Sequence, residues 1–296
     1  MFSGIAAGIL SVLFMCGSYI FSRSYIRKYS DPVKLSVFSQ LVMMAGGLVM
    51  LAVSLIFFSL PRDLRFFLLA AGQVVTFLIG QTSFFMMLKH VEATRASSLL
   101  GLKLLALVVI TTVCGEKLSM MQWIAVLLCT TAAVGMNFSG SRIRWSSFFW
   151  LLSAVFFYAL CDICITKMMR MMPGDSMLVN AFGVLGVSYT ALGFAVLPGL
   201  FKYPLKKGEL RDSVPYGIFY FVSMLFLYTS FGLIGVVFGS IIQAGRGIFS
   251  ILLGIVLLRA GVEKNEPDVS GKIWLRRSVM AILMLSAMIL YTLSVR

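Results

Sequence analysis

The strongest constraint on this chain is that its second half approximately repeats its first. Residues 1–140 and 146–296 each contain five apolar stretches of helix length, and local patterns recur about 144–151 positions apart. Asp31-Pro32-Val33-Lys34-Leu35-Ser36-Val37-Phe38 answers Asp175-Ser176-Met177-Leu178-Val179-Asn180-Ala181-Phe182. Thr82-Ser83-Phe84 answers Thr229-Ser230-Phe231, and Gln122-Trp123-Ile124 answers Lys272-Ile273-Trp274 with a slip of one. An odd number of crossings per half puts the start of the second half on the opposite face of a bilayer from the first. The expected fold is an all-α polytopic membrane protein, ten transmembrane helices arranged as two inverted five-helix repeats, residues 1–140 and 146–296. Inverted repeats of this kind hold a binding site near the membrane midplane, where the two halves meet and rock against one another.

Composition supports the membrane reading. The chain is 60% hydrophobic and 12% charged, with mean hydropathy +0.98. A water-soluble domain of this length could not hide so much apolar surface. Each span must cross about 30 Å of hydrocarbon, so ten spans of roughly 20 residues leave no room for a soluble domain. They must be helical, because lipid offers no partner to open backbone groups. The periodicity predicts spans at 2–22, 34–59, 66–88, 92–114, 120–138, 147–168, 177–200, 213–233, 236–259 and 274–294. No cleavable signal is expected, since the first apolar stretch lacks a basic leader and a small-residue cleavage site.

The net charge of +14 reads as loop charge facing lipid headgroups, and nucleic acid is not an expected partner. Of the 25 Lys and Arg, 17 fall in loops after odd-numbered spans, 6 on the other side and 2 within spans. By the positive-inside rule the odd loops are cytoplasmic and both termini lie outside. Trp123, Trp145, Trp150 and Trp274 lie near span ends, as an aromatic belt requires. The five cysteines, including the Cys161-Asp162-Ile163-Cys164 spacing, fall in or at the ends of apolar stretches and read as packing residues. With His90 as the single histidine, no metal site or cofactor is expected. No GxxxxGK[ST] loop, HExxH motif or paired catalytic carboxylates appear, so neither a built-in ATPase nor an enzyme is expected.

Three ionisable residues fall deep inside predicted spans: Lys103, Asp162 and Arg246. Each costs at least about 2.5–3.5 kcal/mol near a helix centre, which makes a functional role the default. Lys103 and Arg246 lie on repeat-equivalent spans 4 and 9. Two cations cannot neutralise each other, so a site containing both favours an anion. Three readings stay open: a structural network in which Asp162 pairs with a cation, an anion site in which Asp162 orients one, and a proton carried by Asp162. Polar faces recur at helical spacing around them: Gly235, Gly239, Gln243, Arg246 and Ser250; Tyr158, Asp162 and Thr166; Gln73, Thr76, Gly80 and Ser83; Tyr216, Tyr220 and Ser223. Tyr158, Gln243, Tyr220 and Gln81 are the candidates for the neutral part of a substrate. Lys89, His90 and Glu92 read as flanks of a helix end. Gly4-to-Gly8 and Gly235-to-Gly239 have GxxxG spacing, read as packing within one chain.

Ala96-Ser97-Ser98-Leu99-Leu100, the apolar run to Cys114-Gly115-Glu116-Lys117-Leu118-Ser119, and then Gln122-Trp123-Ile124 and Gly135 resemble spans 4 and 5 of the drug/metabolite transporter superfamily, in its ten-span EamA-like group. The resemblance covers nearly the whole chain. The second half departs from the pattern: a long polar insertion follows Leu258-Arg259-Ala260-Gly261, the usual mid-span proline is absent from spans 4 and 9, and Cys16-Gly17 stands where a Trp-Gly pair is typical. The resemblance implies a secondary transporter in a bacterial plasma (inner) membrane, with a cavity between spans 1–4 and 6–9. Spans 5 and 10 then lie at the periphery or in a dimer interface, in a monomer or a homodimer. In the related plastid phosphate-translocator branch, cations on spans 4 and 9 hold the substrate phosphate; Lys103 and Arg246 lie on the matching spans. The family expectation puts both termini in the cytoplasm, against the charge count.

The function expected from residues and resemblance together is movement of a small organic anion, bearing carboxylate or phosphate, by alternating access. A proton or counter-substrate would drive it. The alternative is export of neutral or cationic amphiphiles or amino acids, with the three buried charges structural.

Overall fold

The computed structural model describes residues 1–57, 60–88, 99–115, 117–136, 145–245, 249 and 271–294. Among them no strand occurs. The helices are α1 (Phe2–Tyr29), α2 (Pro32–Phe57), α3 (Leu64–Leu88), α4 (Lys103–Val113), α5 (Met120–Met136), α6 (Trp145–Met171), α7 (Met177–Val196), the short α8 (Gly199–Lys202), α9 (Lys207–Ile234), α10 (Val236–Ala244) and α11 (Gly271–Ser294). A 3₁₀ turn over Leu100–Leu102 precedes α4. Six of these helices, α1, α2, α3, α6, α7 and α9, are long and apolar enough to cross a bilayer. Large apolar side chains stand outward on them, among them Ile56, Phe57, Leu64 and Phe149. Such surface is stable only against lipid, and the chain is an integral multi-pass membrane protein.

Span boundaries moved where local chemistry intervened. The helix of span 1 runs on through Arg23 to Tyr29, because its polar end is held by α9. Span 7 was expected to reach residue 200, but α7 stops at Val196. Pro198 has no N–H to continue the ladder, and the chain restarts as α8. Span 4 is described only from Leu99, and span 9 only to Gly245 and at Phe249. Lys89, His90, Glu92, Arg246 and Ser250 lie outside the described residues.

The chain forms two compact units, each drawing on both halves of the sequence: residues 1–78 with 161–239, and residues 79–160 with 240–296. In the first unit α1 packs on α9 and α2 on α7. Both pairs are antiparallel. Along α1 and α9, Gly4 meets Leu233 and Ile234, the Ser11 and Ser223 hydroxyls are 3.2 Å apart, Gly17 meets Phe219, and Lys28 meets Asp212. Along α2 and α7, Gly193 lies on Met44, Gly47 on Tyr189 and Thr190, and Gly186 on Leu51. A Cβ on Gly186 would stand 2.6 Å from the Leu51 amide nitrogen, so the two backbones are nearly in contact there.

In the second unit α5 packs on α11, with Gly135 against Met280. The 3₁₀ turn presses onto α5 through Gly101, which faces Ala133. Cys129 on α5 lies against the Ile241 carbonyl of α10, and Gly245 lies against Met288 of α11. A small apolar cluster of Met87, Leu99, Leu151 and Val155 fills the contact between the ends of α3 and α6.

The junction between α9 and α10 is a single residue. Gly235 caps α9 with φ 81° and ψ 161°, and its N–H donates to the Phe231 carbonyl. That backbone region is essentially restricted to glycine and costs other residues about 1–3 kcal/mol. Nothing lies within 4 Å of a Cβ built there, so Gly235→Ala isolates backbone strain from crowding. Its thermal unfolding midpoint should fall by several degrees relative to wild type; an unchanged midpoint would mean that the junction readily takes another conformation.

Candidate substrate-binding site

Four of the candidate site residues pair with one another within the second unit. The Lys103 ammonium donates to the Gln243 side-chain carbonyl at 2.9 Å, and the Tyr158 hydroxyl donates to that of Gln81 at 2.6 Å. Both have local causes. Lys103 is the first residue of α4, where the backbone changes from 3₁₀ to α, and its partner lies one residue before the end of α10. Beyond it the Gly245 N–H bonds to Ile242 at 3.0 Å, a tight three-residue turn. 3₁₀ turns of this sort within or at the end of a helix often mark functional positions. Tyr158 reaches Gln81 because Gly80 leaves room: a Cβ there would meet the Tyr158 ring at 3.0 Å.

Gln243 is buried, and Lys103 is half-buried. An amide oxygen fixes the direction of an ammonium without itself bringing a countercharge, so this bond orients a cation. Arginine or lysine near apolar walls draws anions far more strongly than in water.

Asp162 and Tyr220 belong to the first unit. Asp162 is buried on α6, and Thr166 donates to its main-chain carbonyl at 2.9 Å. Tyr220 packs on Tyr216, with ring centroids 5.7 Å apart. Arg246, the seventh candidate, lies outside the described residues.

Other parts of the polar stripes turn out to be satisfied locally. Thr76 bonds back to the Gly72 carbonyl at 2.7 Å, as Thr166 does to Asp162, which is how hydroxyls settle inside helices. Ser223 joins Ser11 and so ties α9 to α1. Gln73 is different: it is buried, and its carbonyl oxygen has no partner among the described residues.

Sequence reasoning missed two arrangements. Ser83 and Ser153 share a hydrogen bond of 2.8 Å between α3 and α6. Ser83 stood in a recognised stripe, but Ser153 is off the Tyr158 face and carried no signal beyond its small size. The second is an ionic cluster where α1, α2 and α9 meet. Lys28 and the Tyr29 hydroxyl both donate to Asp212, at 2.6 and 2.7 Å. Lys34 pairs with Glu209, which Lys206 also approaches at 3.9 Å. Lys28, Lys34 and Lys206 had been read only as loop charges.

Comparison with known proteins agrees with this architecture. One protein of known crystal structure aligns over 98% of this chain and 96% of its own length, with a TM-score of 0.67 and 16% sequence identity, and so has the same fold. No curated protein sequence matches. Residues 2–138 match the EamA-like transporter family. That match spans the motifs of spans 4 and 5; over residues 2–138 the chain is similar to the EamA-like transporter family, whose name is that of membrane transporters of the drug/metabolite type.

Proposed function

We propose that this transporter moves a small organic anion, bearing a carboxylate or phosphate, by alternating access across a bacterial inner membrane. The observation that carries the reading is the Lys103–Gln243 bond, which orients a half-buried cation where a 3₁₀ turn passes into α4. Lys103 and Arg246 receive the anionic group, and Asp162 orients a cation or carries a coupling proton. Tyr158 with Gln81, Gln243, and Tyr220 meet the neutral part of the substrate. The reading also takes residues 1–140 and 146–296 as inverted repeats. The pairing of α1 with α9, α2 with α7 and α5 with α11 supports it, because each pair joins one helix from each repeat.

The second reading, export of cationic amphiphiles or amino acids, is favoured by the setting of Asp162. This carboxylate is buried within a membrane helix, and a buried carboxylate suits an ammonium group.

A thermal-shift screen of the purified protein against organic anions, cations and neutral solutes separates the two. A ligand at a hundredfold excess over its Kd stabilises the folded state by about 2.7 kcal/mol. Under the first reading carboxylates or phosphates raise the midpoint; stabilisation by amines alone would replace it with the second.

A further inference from the structure

One end of the first unit, where α1 finishes and α9 begins, carries more positive charge than its carboxylates can absorb. Its three acids are all engaged. Asp31 accepts the Val33 and Lys34 N–H groups at the start of α2, Glu209 pairs with Lys34, and Asp212 holds Lys28 and Tyr29. Lys202, Lys207 and Arg211 are exposed at the same end, and no carboxylate lies within 4.0 Å of them among the described residues. The segment that presents them is also apolar. Phe201 is 96% exposed and Leu205 is 52% exposed, alternating with Lys202 and Lys206 between Pro198 and the start of α9. Gly199 sits against Val37 near the start of α2, which fixes this segment at the mouth of the helix bundle.

A fully exposed phenylalanine beside unneutralised lysines, just past the end of a membrane helix, fits one environment. The ring belongs at the headgroup–acyl boundary and the ammonium groups among phosphates above it. We propose that residues 199–211 form a binding site for anionic phospholipid: Lys202, Lys207 and Arg211 engage the headgroup phosphodiester, and Phe201 and Leu205 insert among the upper acyl chains. The site lies on the odd-loop face, the one the positive-inside count assigns to the cytoplasmic, anionic leaflet. It is independent of whatever the carrier transports.

The test is native mass spectrometry of the full-length, delipidated protein titrated with phosphatidylglycerol or phosphatidylcholine. Three chains are compared: wild type, Lys202→Gln/Lys207→Gln/Arg211→Gln, and Arg62→Gln/Arg65→Gln, which removes two cations from the other side of the membrane. Wild type should retain phosphatidylglycerol in clear preference to phosphatidylcholine. Each juxtamembrane cation is worth about fivefold in affinity for an anionic surface, so the triple variant should lose that preference by at least about tenfold while the Arg62/Arg65 control keeps it. Phe201→Ser should weaken retention of phosphatidylglycerol several-fold with all charges in place. Equal retention of both lipids by wild type would overturn the proposal, as would a triple variant that still prefers phosphatidylglycerol or a control that loses as much as the triple variant. All three substituted cations are exposed, so matching unfolding midpoints are expected throughout.

Discussion

Gly186→Leu should abolish the packing of α2 on α7 and yield protein that aggregates on extraction. Even the first added carbon would stand 2.6 Å from the Leu51 nitrogen and 2.8 Å from its Cα, and backbone cannot rotate away as a side chain can. Overpacking typically costs about 1–3 kcal/mol where side chains give way; here the helices themselves must separate, so the loss is expected to exceed about 3 kcal/mol. Gly193, one helical stretch further along the same face, lies as close to Met44, so no slide along the seam relieves the clash. Gly208→Ala is the matched control: a Cβ there meets nothing within 4 Å, and alanine favours the first turn of α9 by up to about 1 kcal/mol. Detergent-solubilised unfolding midpoints of the two variants decide the matter. A Gly186→Leu protein that melts with wild type would show that α2 and α7 do not approach as described.

The second large effect concerns Lys103. If its ammonium receives an anionic group, Lys103→Ala should reduce initial uptake of that anion into proteoliposomes by about 10–100-fold, the worth of a hydrogen bond to a charged group. Lys103→Arg keeps the charge and should retain most of the rate. Gln243→Glu offers the sharper test. It leaves Lys103 in place but sets a carboxylate against it where an amide stood, so uptake should fall although no cation has been removed. Wild-type rates in both Lys103→Ala and Gln243→Glu would assign this contact to structure alone. If Lys103→Ala does not fold, the Arg and Gln243→Glu arms still decide.

The span pattern was legible because its causes are local. Apolar runs of membrane length mark α1, α2, α3, α6, α7 and α9, and glycine punctuation marks the α9–α10 junction at Gly235. Gly115, with φ +98°, ends span 4 where a turn was expected. Partner choice was not legible, because it depends on the rotation of each helix about its axis. Gln81 and Tyr158 were both named as candidates, yet nothing in the sequence said that they bind each other or that Gly80 makes it possible. Lys103 and Gln243 were both named as candidates, and the hydrogen bond between them was not legible either. The hydroxyls of Thr76 and Thr166 stood in polar stripes as if facing a cavity, but both bond to carbonyls of their own helix. A polar stripe in a sequence does not distinguish groups that line a site from groups their own backbone already satisfies.

The pairing of α1 with α9 has a consequence for synthesis. Contacts such as Lys28 with Asp212 join residues 184 positions apart. At about 5–20 residues per second, α1 is in the bilayer for about 10–40 s before its partner leaves the ribosome. During that time the glycine-lined face of α1 and the Ser11 hydroxyl have only lipid, or some temporary protein neighbour, beside them. The first half of this chain is thus a unit of sequence but not of assembly. A nascent chain arrested near residue 140 would hold α1 and α2 in the membrane without the helices that complete either of them.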